Sequence, residues 1–224
     1  MSWFHISLAV AIVLVVAFLV RHYLKAAKNS YKEEDKTFHR PATLKPRQLK
    51  GFNQLSQPRQ QLITEALLLA SEHGWLKFKL GSIDLADGGF DCSGAMYYLL
   101  RKCGMNPPDR PAQQFHWIRD EGQLHKVPPK LRKLDNEAFC HLVPGDLMFW
   151  TGTYTPPDRE ELEISHVSMY LGQEKNGRHV LIGSTKGRKY RGKFGDGYGV
   201  YDFKLPRLKS KAEFVGYGTP VGLE

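Results

Sequence analysis

Two side chains in this sequence have types and positions that suit nucleophilic chemistry, Cys92 and His166. Cys92 lies at the start of a predicted helix, where unpaired backbone N–H groups and a partial positive charge lower a thiol pKa. His166 opens an apolar run that predicts a strand, and from the mouth of a strand a histidine can act as a general base. Either residue alone is more often structural. Together they allow acyl transfer through a thiol that a neighbouring base activates.

The apolar pattern predicts two helices in the first half of the chain. Spacings of three and four residues predict a helix over 57–73 and another over 91–102, with Asp91 as the N-cap of the second. Residues 77–90 are rich in Gly and Asp and are expected to be irregular. Cys92 would therefore lie in the first turn of the second helix.

Short apolar runs in the last third of the chain predict an antiparallel sheet. Gly, Asn and Pro separate five such runs, which are residues 147–150, 167–171, 180–184, 199–203 and 213–217. The segment 173–178 predicts a hairpin between the second and third runs. Helices followed by an antiparallel sheet indicate an α+β fold.

The segment from Trp3 to Val20 is apolar and carries no charged side chain. As a helix it would span roughly 27 Å, which is close to the thickness of a bilayer core. No Lys or Arg precedes it and no small-x-small cleavage site directly follows it, which favours an uncleaved transmembrane anchor over a signal peptide. We therefore expect a membrane anchor with its flanks over residues 1–23.

Basic residues are concentrated directly after this segment. Residues 21–50 hold nine Lys or Arg and three acids, whereas residues 51–224 hold 23 basic and 20 acidic residues. This distribution predicts a basic juxtamembrane stalk over 24–56 and gives little reason to expect nucleic-acid binding. It also favours a cytoplasmic domain, because Lys and Arg beside a transmembrane segment tend to stay in the cytoplasm.

A second basic stretch, residues 186–193, holds five Lys or Arg in eight positions together with two Gly and reads as a loop. Most such loops are simply solvated. If this one borders the active site, it would attract carboxylates of a substrate peptide. Charge reversal at Arg188 and Arg191 tests this hypothesis.

The other two cysteines have plain interpretations. Three cysteines in 224 residues exclude a disulfide scaffold. Cys103 follows Cys92 by three turns of the same predicted helix and is expected in the core. Cys140 and His141 have no second ligand pair at a usual spacing, so a zinc site is not expected.

The order of the short motifs is more specific than any one of them. In chain order they are Asp91-Cys92-Ser93-Gly94, a Pro-rich loop, Gln113-Gln114, Pro144-Gly145-Asp146-Leu147 before aromatic residues, and Ser165-His166-Val167. In this ordered set the sequence resembles the NlpC-type cell-wall cysteine peptidases, a compact branch of the papain-like fold. The resemblance covers about residues 57–219 and leaves 220–224 as a C-terminal tail.

The resemblance implies an α+β fold with N-terminal helices packed on an antiparallel sheet. It also implies a thiol hydrolase of peptidoglycan stem peptides, often acting at a D-γ-glutamyl–diamino-acid bond, without a cofactor. Cys92 would be the nucleophile and His166 the base, while Asp91, Ser93 and Phe78 would line the substrate pocket. Such a substrate places the domain on the envelope side of the membrane, in conflict with the basic flank.

Three departures from the family pattern leave alternatives open. Gly183 stands where the family usually has a third polar residue, often His, that orients the base. Phe78 stands where a tyrosine is common, and residues 151–165 form a longer, acidic loop that could wall the cleft. A catalytically weak or inactive, membrane-tethered cell-wall-binding module is therefore one alternative. The other is a membrane-associated thiol acyltransferase of related fold, which the basic stalk and a cytoplasmic orientation would suit.

Overall fold

The computed structural model describes residues 15–22, 37–154 and 164–224. The chain forms two units, Met1–Thr37 and Phe38–Glu224. In the first unit, residues 15–22 are helical. No helix within the described ranges combines the length and the apolar character needed to cross a membrane. Residues 3–14 of the expected anchor lie outside the described residues, so the anchor stays a prediction.

Three helices precede most of the sheet. They are α1 (Gln57–Glu72), α2 (Cys92–Lys102) and α3 (Pro111–Asp120). The first two match the predicted helices closely, because Pro58 suits a first turn and Asp91 caps the second helix with its side chain. The third was not predicted. Pro111 begins it, and the mixed polar and apolar residues that follow gave no clear periodicity.

The main sheet has six strands, which are β3 Leu124–Lys126, β4 Leu147–Thr151, β5 His166–Gln173, β6 His179–Tyr190, β7 Lys193–Asp202 and β8 Glu213–Gly218. They are antiparallel and lie in the order β3-β8-β4-β5-β6-β7. The five predicted strands and the predicted hairpin are therefore confirmed. Two short parallel strands, β1 (Lys77–Phe78) and β2 (Gly89–Phe90), pair separately. The prediction of a wholly irregular segment over 77–90 was wrong in this respect.

The basic stretch 186–193 is part of a long hairpin and not a loop. β6 and β7 continue to a tight turn at Arg191 and Gly192, whose φ angles are 48° and 87°. Two successive positive φ angles match the twist of paired strands. The register of this pair shifts between Lys186 and Lys189. Arg188 lies over the Trp150 ring, whereas Arg191 pairs with Glu174, so the basic residues of the stretch have different surroundings.

Both faces of the sheet are covered. α1 and α2 pack on one face with Leu62, Met96, Leu99 and their neighbours, against Val167 and Met169 of β5. The other face carries an aromatic cluster that comprises Phe139, Trp150, Tyr170, Tyr201, Phe203, Phe214 and Tyr217. The α+β fold with helices on an antiparallel sheet is thus present.

The segments on both sides of the predicted domain pack against it. Residues 38–56 belong to the second unit, where Ala42 pairs with Val200 and Leu49 pairs with Glu174. Leu49 is buried, as is Leu223 in the expected C-terminal tail. The compact unit therefore begins well before residue 57, the boundary expected from the sequence, and extends through the last residues of the chain.

A buried ion pair ties α1 to the strands. The Arg59 guanidinium donates to Asp146 Oδ1 at 3.0 Å, to the Pro144 carbonyl at 2.8 Å and to Thr219 Oγ1 at 2.8 Å. It also bonds the exposed carboxylate of Glu224. Thr219 in turn donates to Asp146 Oδ1 at 3.0 Å, so this carboxylate is held from two elements.

Candidate active site

One cleft of about 810 Å³ brings together all five residues that the sequence singled out for the site. They are Phe78, Asp91, Cys92, Ser93 and His166. The remaining walls include Thr153, Tyr154, Ser165, Thr185, Lys186, Arg188 and Lys211. The start of α2 and the start of β5 therefore meet in the same cavity, as the resemblance implied.

Asp91 builds the helix start that carries Cys92. Its Oδ1 accepts the Gly94 N–H at 2.7 Å, and its Oδ2 accepts the Gly81 N–H at 2.8 Å. A carboxylate in this position satisfies orphan donors of the first helical turn and fixes the preceding segment against it. Asp91 thus shapes the site through the backbone beside the thiol.

Gly94 is required by close packing on the protein side of the helix. A Cβ at this position would lie 2.0 Å from the Ser82 carbonyl oxygen. The segment that approaches Gly94 is therefore the chain's own backbone at Ser82. On the neighbouring turn, buried Gln114 of α3 donates to the Ser93 carbonyl at 3.0 Å and braces the same helix start.

The Cys92 thiol is held in its protonated form. Only 8% of the residue is exposed, and this burial, followed by the charge of Asp91, raises its pKa to about 12. The backbone N–H groups of Val167, Ser93 and Cys92 act in the opposite direction, because they would stabilise a thiolate. The result is opposite to the lowered pKa that the helix start predicted, since desolvation outweighs the helix-end effect here.

His166 supplies a base in its neutral form. The residue is 6% exposed, and burial lowers its pKa well below the ordinary 6.5, with the nearby charge of Arg188 adding to the effect. The Trp150 ring, 5.4 Å from the imidazole between centroids, packs beside it. A neutral imidazole in the same cleft as a neutral thiol has the protonation state needed to accept the thiol proton.

Ser168 orients His166 in place of the residue that Gly183 lacks. Its Oγ lies 3.1 Å from His166 Nε2, and the hydrogen bond is buried. Gly183 faces it on β6, where an added Cβ would lie 2.8 Å from the same Oγ. The hydroxyl therefore occupies the space of the expected side chain. When the His166 Nε2–H donates to this hydroxyl, the unprotonated Nδ1 is the ring atom that can accept a proton. The spacing of two along a strand, which puts residues 166 and 168 on one face, was the signal that sequence reasoning missed.

Replacing Ser168 with alanine should lower kcat for the site's reaction about tenfold and leave KM nearly unchanged, because one buried hydrogen bond that orients the base is lost. Steady-state kinetics with a thermal melt as the folding check measure this effect. The double substitution Ser168→Gly/Gly183→His, which exchanges the small and the polar residue, should recover part of the loss seen in Ser168→Gly. If Ser168→Ala lowered both kcat and the melting temperature, and the double variant recovered no activity, the Ser168 hydroxyl would have a purely structural role.

The acid limb of the kcat/KM profile should lie below pH 6.5, because only the neutral form of His166 accepts a proton and its pKa is lowered. Arg188→Gln removes a positive charge near the ring, so the pKa of His166 should rise and the limb should move to higher pH. Lys189→Gln removes an exposed charge from the same strand and should leave the limb in place. An acid limb at or above pH 6.5 in the unmodified protein would contradict this assignment.

The long loop beside the cleft is described only at its ends. Thr153 lies at one end, where its N–H and hydroxyl both bond Ser165 Oγ, at 2.9 and 2.6 Å. The acidic residues expected to wall the cleft fall within 155–163, outside the described residues. Across the described ranges, no group of three or more His, Cys, Asp or Glu is placed to hold a metal ion.

The segment that carries this geometry matches a known protein family. The model of the NlpC/P60 family matches residues 75–192, more than half of the chain and the segment that contains Cys92 and His166. A solved structure from Staphylococcus aureus subsp. aureus Mu50, described as similar to lipoprotein and of the NLP/P60 family, matches with 18% identity and a TM-score of 0.42. That match covers 83% of this chain and 45% of the other, so this chain spans less than half the length of that protein. A search of curated proteins found no match. By the extent of the family match, this chain belongs to the NlpC/P60 family.

Proposed function

We propose that this protein is a thiol hydrolase that cleaves amide bonds in peptidoglycan stem peptides, with Cys92 as nucleophile and His166 as base. Family membership suggests a cell-wall peptidase-type function. The observation that carries the finer proposal is the meeting of the α2 start and the β5 start in one cleft, with Cys92 and His166 both facing it.

The chemistry begins from a neutral pair. His166 accepts the thiol proton of Cys92 while the sulfur attacks the amide carbonyl carbon, which gives a tetrahedral oxyanion. The Cys92 backbone N–H, in the first turn of α2, is placed to donate to that oxyanion. His166 then returns the proton to the leaving amine as the C–N bond breaks. A water molecule, deprotonated by His166, attacks the thioester and releases the carboxylic acid and the thiol.

The hydrogen bond between Ser168 and His166 bears on the first alternative. An inactive binding module was favoured by the missing side chain at Gly183. Ser168 supplies a polar partner to the base from the neighbouring strand, so the ground for that alternative is weaker. No contact among the described residues favours an acyltransferase over a hydrolase.

Incubation of the purified full-length chain with purified peptidoglycan tests the proposed reaction. Mass spectrometry of the released material should show paired new amine and carboxyl termini within stem peptides, and Cys92→Ala protein should release none of them. Binding of the sacculi without any new termini would favour the cell-wall-binding module. A stable acyl adduct on Cys92, formed from lipid, would favour the acyltransferase.

The same proposal places the domain on the envelope side of a membrane, held by the apolar segment from Trp3 to Val20. Support comes from that segment and from the location of the proposed substrate. Cys140 is exposed, so its labelling can show on which side of the membrane the domain lies. In a Cys92→Ala/Cys103→Ala background, a membrane-impermeant maleimide should label Cys140 in intact spheroplasts, whereas labelling only after lysis would place the domain in the cytoplasm.

A further inference from the structure

The cleft carries positive charge that its own described residues do not neutralise. Lys186 and Arg188 enter it from β6, and the exposed Lys211 enters from the segment before β8. Among the described lining residues, Asp91 supplies the carboxylate, and backbone N–H groups of the protein already donate to both of its oxygens. The walls are therefore suited to a ligand that brings negative charge.

Arg188 is the cation nearest to the chemistry. Its guanidinium lies 4.5 Å from the centroid of the Trp150 ring, and the same ring also packs against the His166 imidazole. The charge of Arg188 is close enough to His166 to lower the pKa of that base. An anion bound at Arg188 would accordingly lie beside the residues that act on the scissile amide.

The donors of Arg188 have no partner in the described parts of the chain. The residue is partly buried in the cleft wall, and burial lowers its pKa to about 10, which still leaves it charged at neutral pH. A guanidinium stacked on an indole presents its N–H fork at the edge of its plane, in the geometry that binds a carboxylate through two hydrogen bonds.

The arginines that flank the two ends of β6 have structural roles instead. Arg191 bonds the buried carboxylate of Glu174 at 2.6 Å. Arg178 pairs with Glu174 and with Asp202, both at 3.3 Å. Each of these cations lies outside the cleft and satisfies a carboxylate of the fold. Arg188 pairs with none of the described carboxylates, although its burial disfavours the charge enough to lower its pKa.

We infer that Arg188 forms an anion subsite that binds a free carboxylate of the substrate next to the scissile amide. The preferred substrate is then a peptide with an unmodified carboxylate at that position, and its carboxamide counterpart is discriminated against. This inference rests on the proposed function for the identity of the substrate class. The subsite itself, however, is open to a binding measurement that needs no turnover.

Calorimetric titration of the full-length Cys92→Ala protein provides that measurement. The two probes are the tripeptide L-Ala-γ-D-Glu-diaminopimelate and the same peptide with the glutamyl α-carboxylate as a carboxamide. The carboxylate form should bind about tenfold more tightly or better, as hydrogen bonds between two charged groups provide. Adding Arg188→Gln should abolish the preference, and Arg188→Lys should keep part of it as a point charge without the fork.

Lys189→Gln in the same background is the matched control. Lys189 is exposed, adjacent on β6 and outside the cleft lining, so its loss should leave the preference intact. Equal affinity of the Cys92→Ala protein for the two peptides would overturn the subsite. So would a preference that Arg188→Gln and Arg188→Lys both leave unchanged, or one that Lys189→Gln removes equally.

The failure of the subsite and that of the proposed function are distinguishable. If the protein with Cys92 intact cleaves both peptides at the same kcat/KM, the hydrolase assignment stands and the subsite is refuted. If the carboxylate preference depends on Arg188 but no peptide or peptidoglycan bond is cleaved, the subsite stands and the hydrolase assignment is refuted.

Discussion

Cys92→Ala is expected to lower kcat/KM for stem-peptide cleavage by at least about 10⁴-fold, because the reaction then has no nucleophile. No other thiol lines the cleft, since Cys103 lies near the end of α2 and Cys140 is exposed elsewhere. Ser93 is present in the cleft wall, but its hydroxyl bonds Asp91 at 3.3 Å and lacks a base. The initial rate of release of new amine termini, measured by liquid chromatography, gives the effect.

Cys140→Ala is the control for the loss of a thiol as such, and it should cleave at the rate of the unmodified protein. Circular dichroism and a thermal melt establish that Cys92→Ala remains folded, which is expected because alanine fits the first turn of α2. A folded Cys92→Ala protein with more than a tenth of the normal rate would exclude thiol catalysis at this site.

Arg59→Met is expected to lower the free energy of unfolding by about 3–5 kcal/mol, because it leaves the buried Asp146 carboxylate without its charged partner. The side chains of Arg59 and Asp146 are 5% and 2% exposed, so water cannot replace the lost contacts. Thr219 and the Val143 N–H still bond this carboxylate, yet neither carries a compensating charge. Urea denaturation followed by circular dichroism measures the change.

Two further variants separate the buried charge from the loss of contacts. Arg59→Met/Asp146→Leu removes both charges and should recover much of the stability, since an apolar pair of similar volume avoids the desolvation cost. Arg119→Met breaks the exposed pair with Asp120, whose side chains are 44% and 63% exposed, and should cost less than about 1 kcal/mol. If Arg59→Met lowered the free energy of unfolding no more than Arg119→Met, the buried pair would contribute no more to stability than the exposed pair.

The helices and strands near the site could be predicted because short-range patterns determine them. Asp91 caps the helix that begins at Cys92, and this cap involves only residues 91–94. The apolar run after His166 predicts a strand wherever that strand lies in the sheet. That the two ends would share a cleft came from the order of the motifs. The family match then gave the fold independently.

What sequence reasoning missed depends on contacts between distant parts of the chain. The pKa of Cys92 follows from burial, which no local pattern reveals, so the helix-end effect was overestimated. Arg188 was grouped with Arg191 as one basic loop, but the extended hairpin separates them, and only Arg188 reaches the cleft. Ser168 could have been found from strand alternation. Its importance depends on Gly183, which faces it across β5 and β6.

The protonated state of Cys92 also has a consequence for how long the nucleophile survives. Peroxides and disulfides react with the thiolate, so a buried thiol with a pKa of about 12 is oxidised slowly while the cleft is empty. On the envelope side proposed for this domain, the surroundings would be oxidising and would hold no reducing buffer to repair a sulfenic acid. A Cys92 thiol that loses its proton only during the proposed attack would be durable there, at the cost of a proton transfer in each turnover.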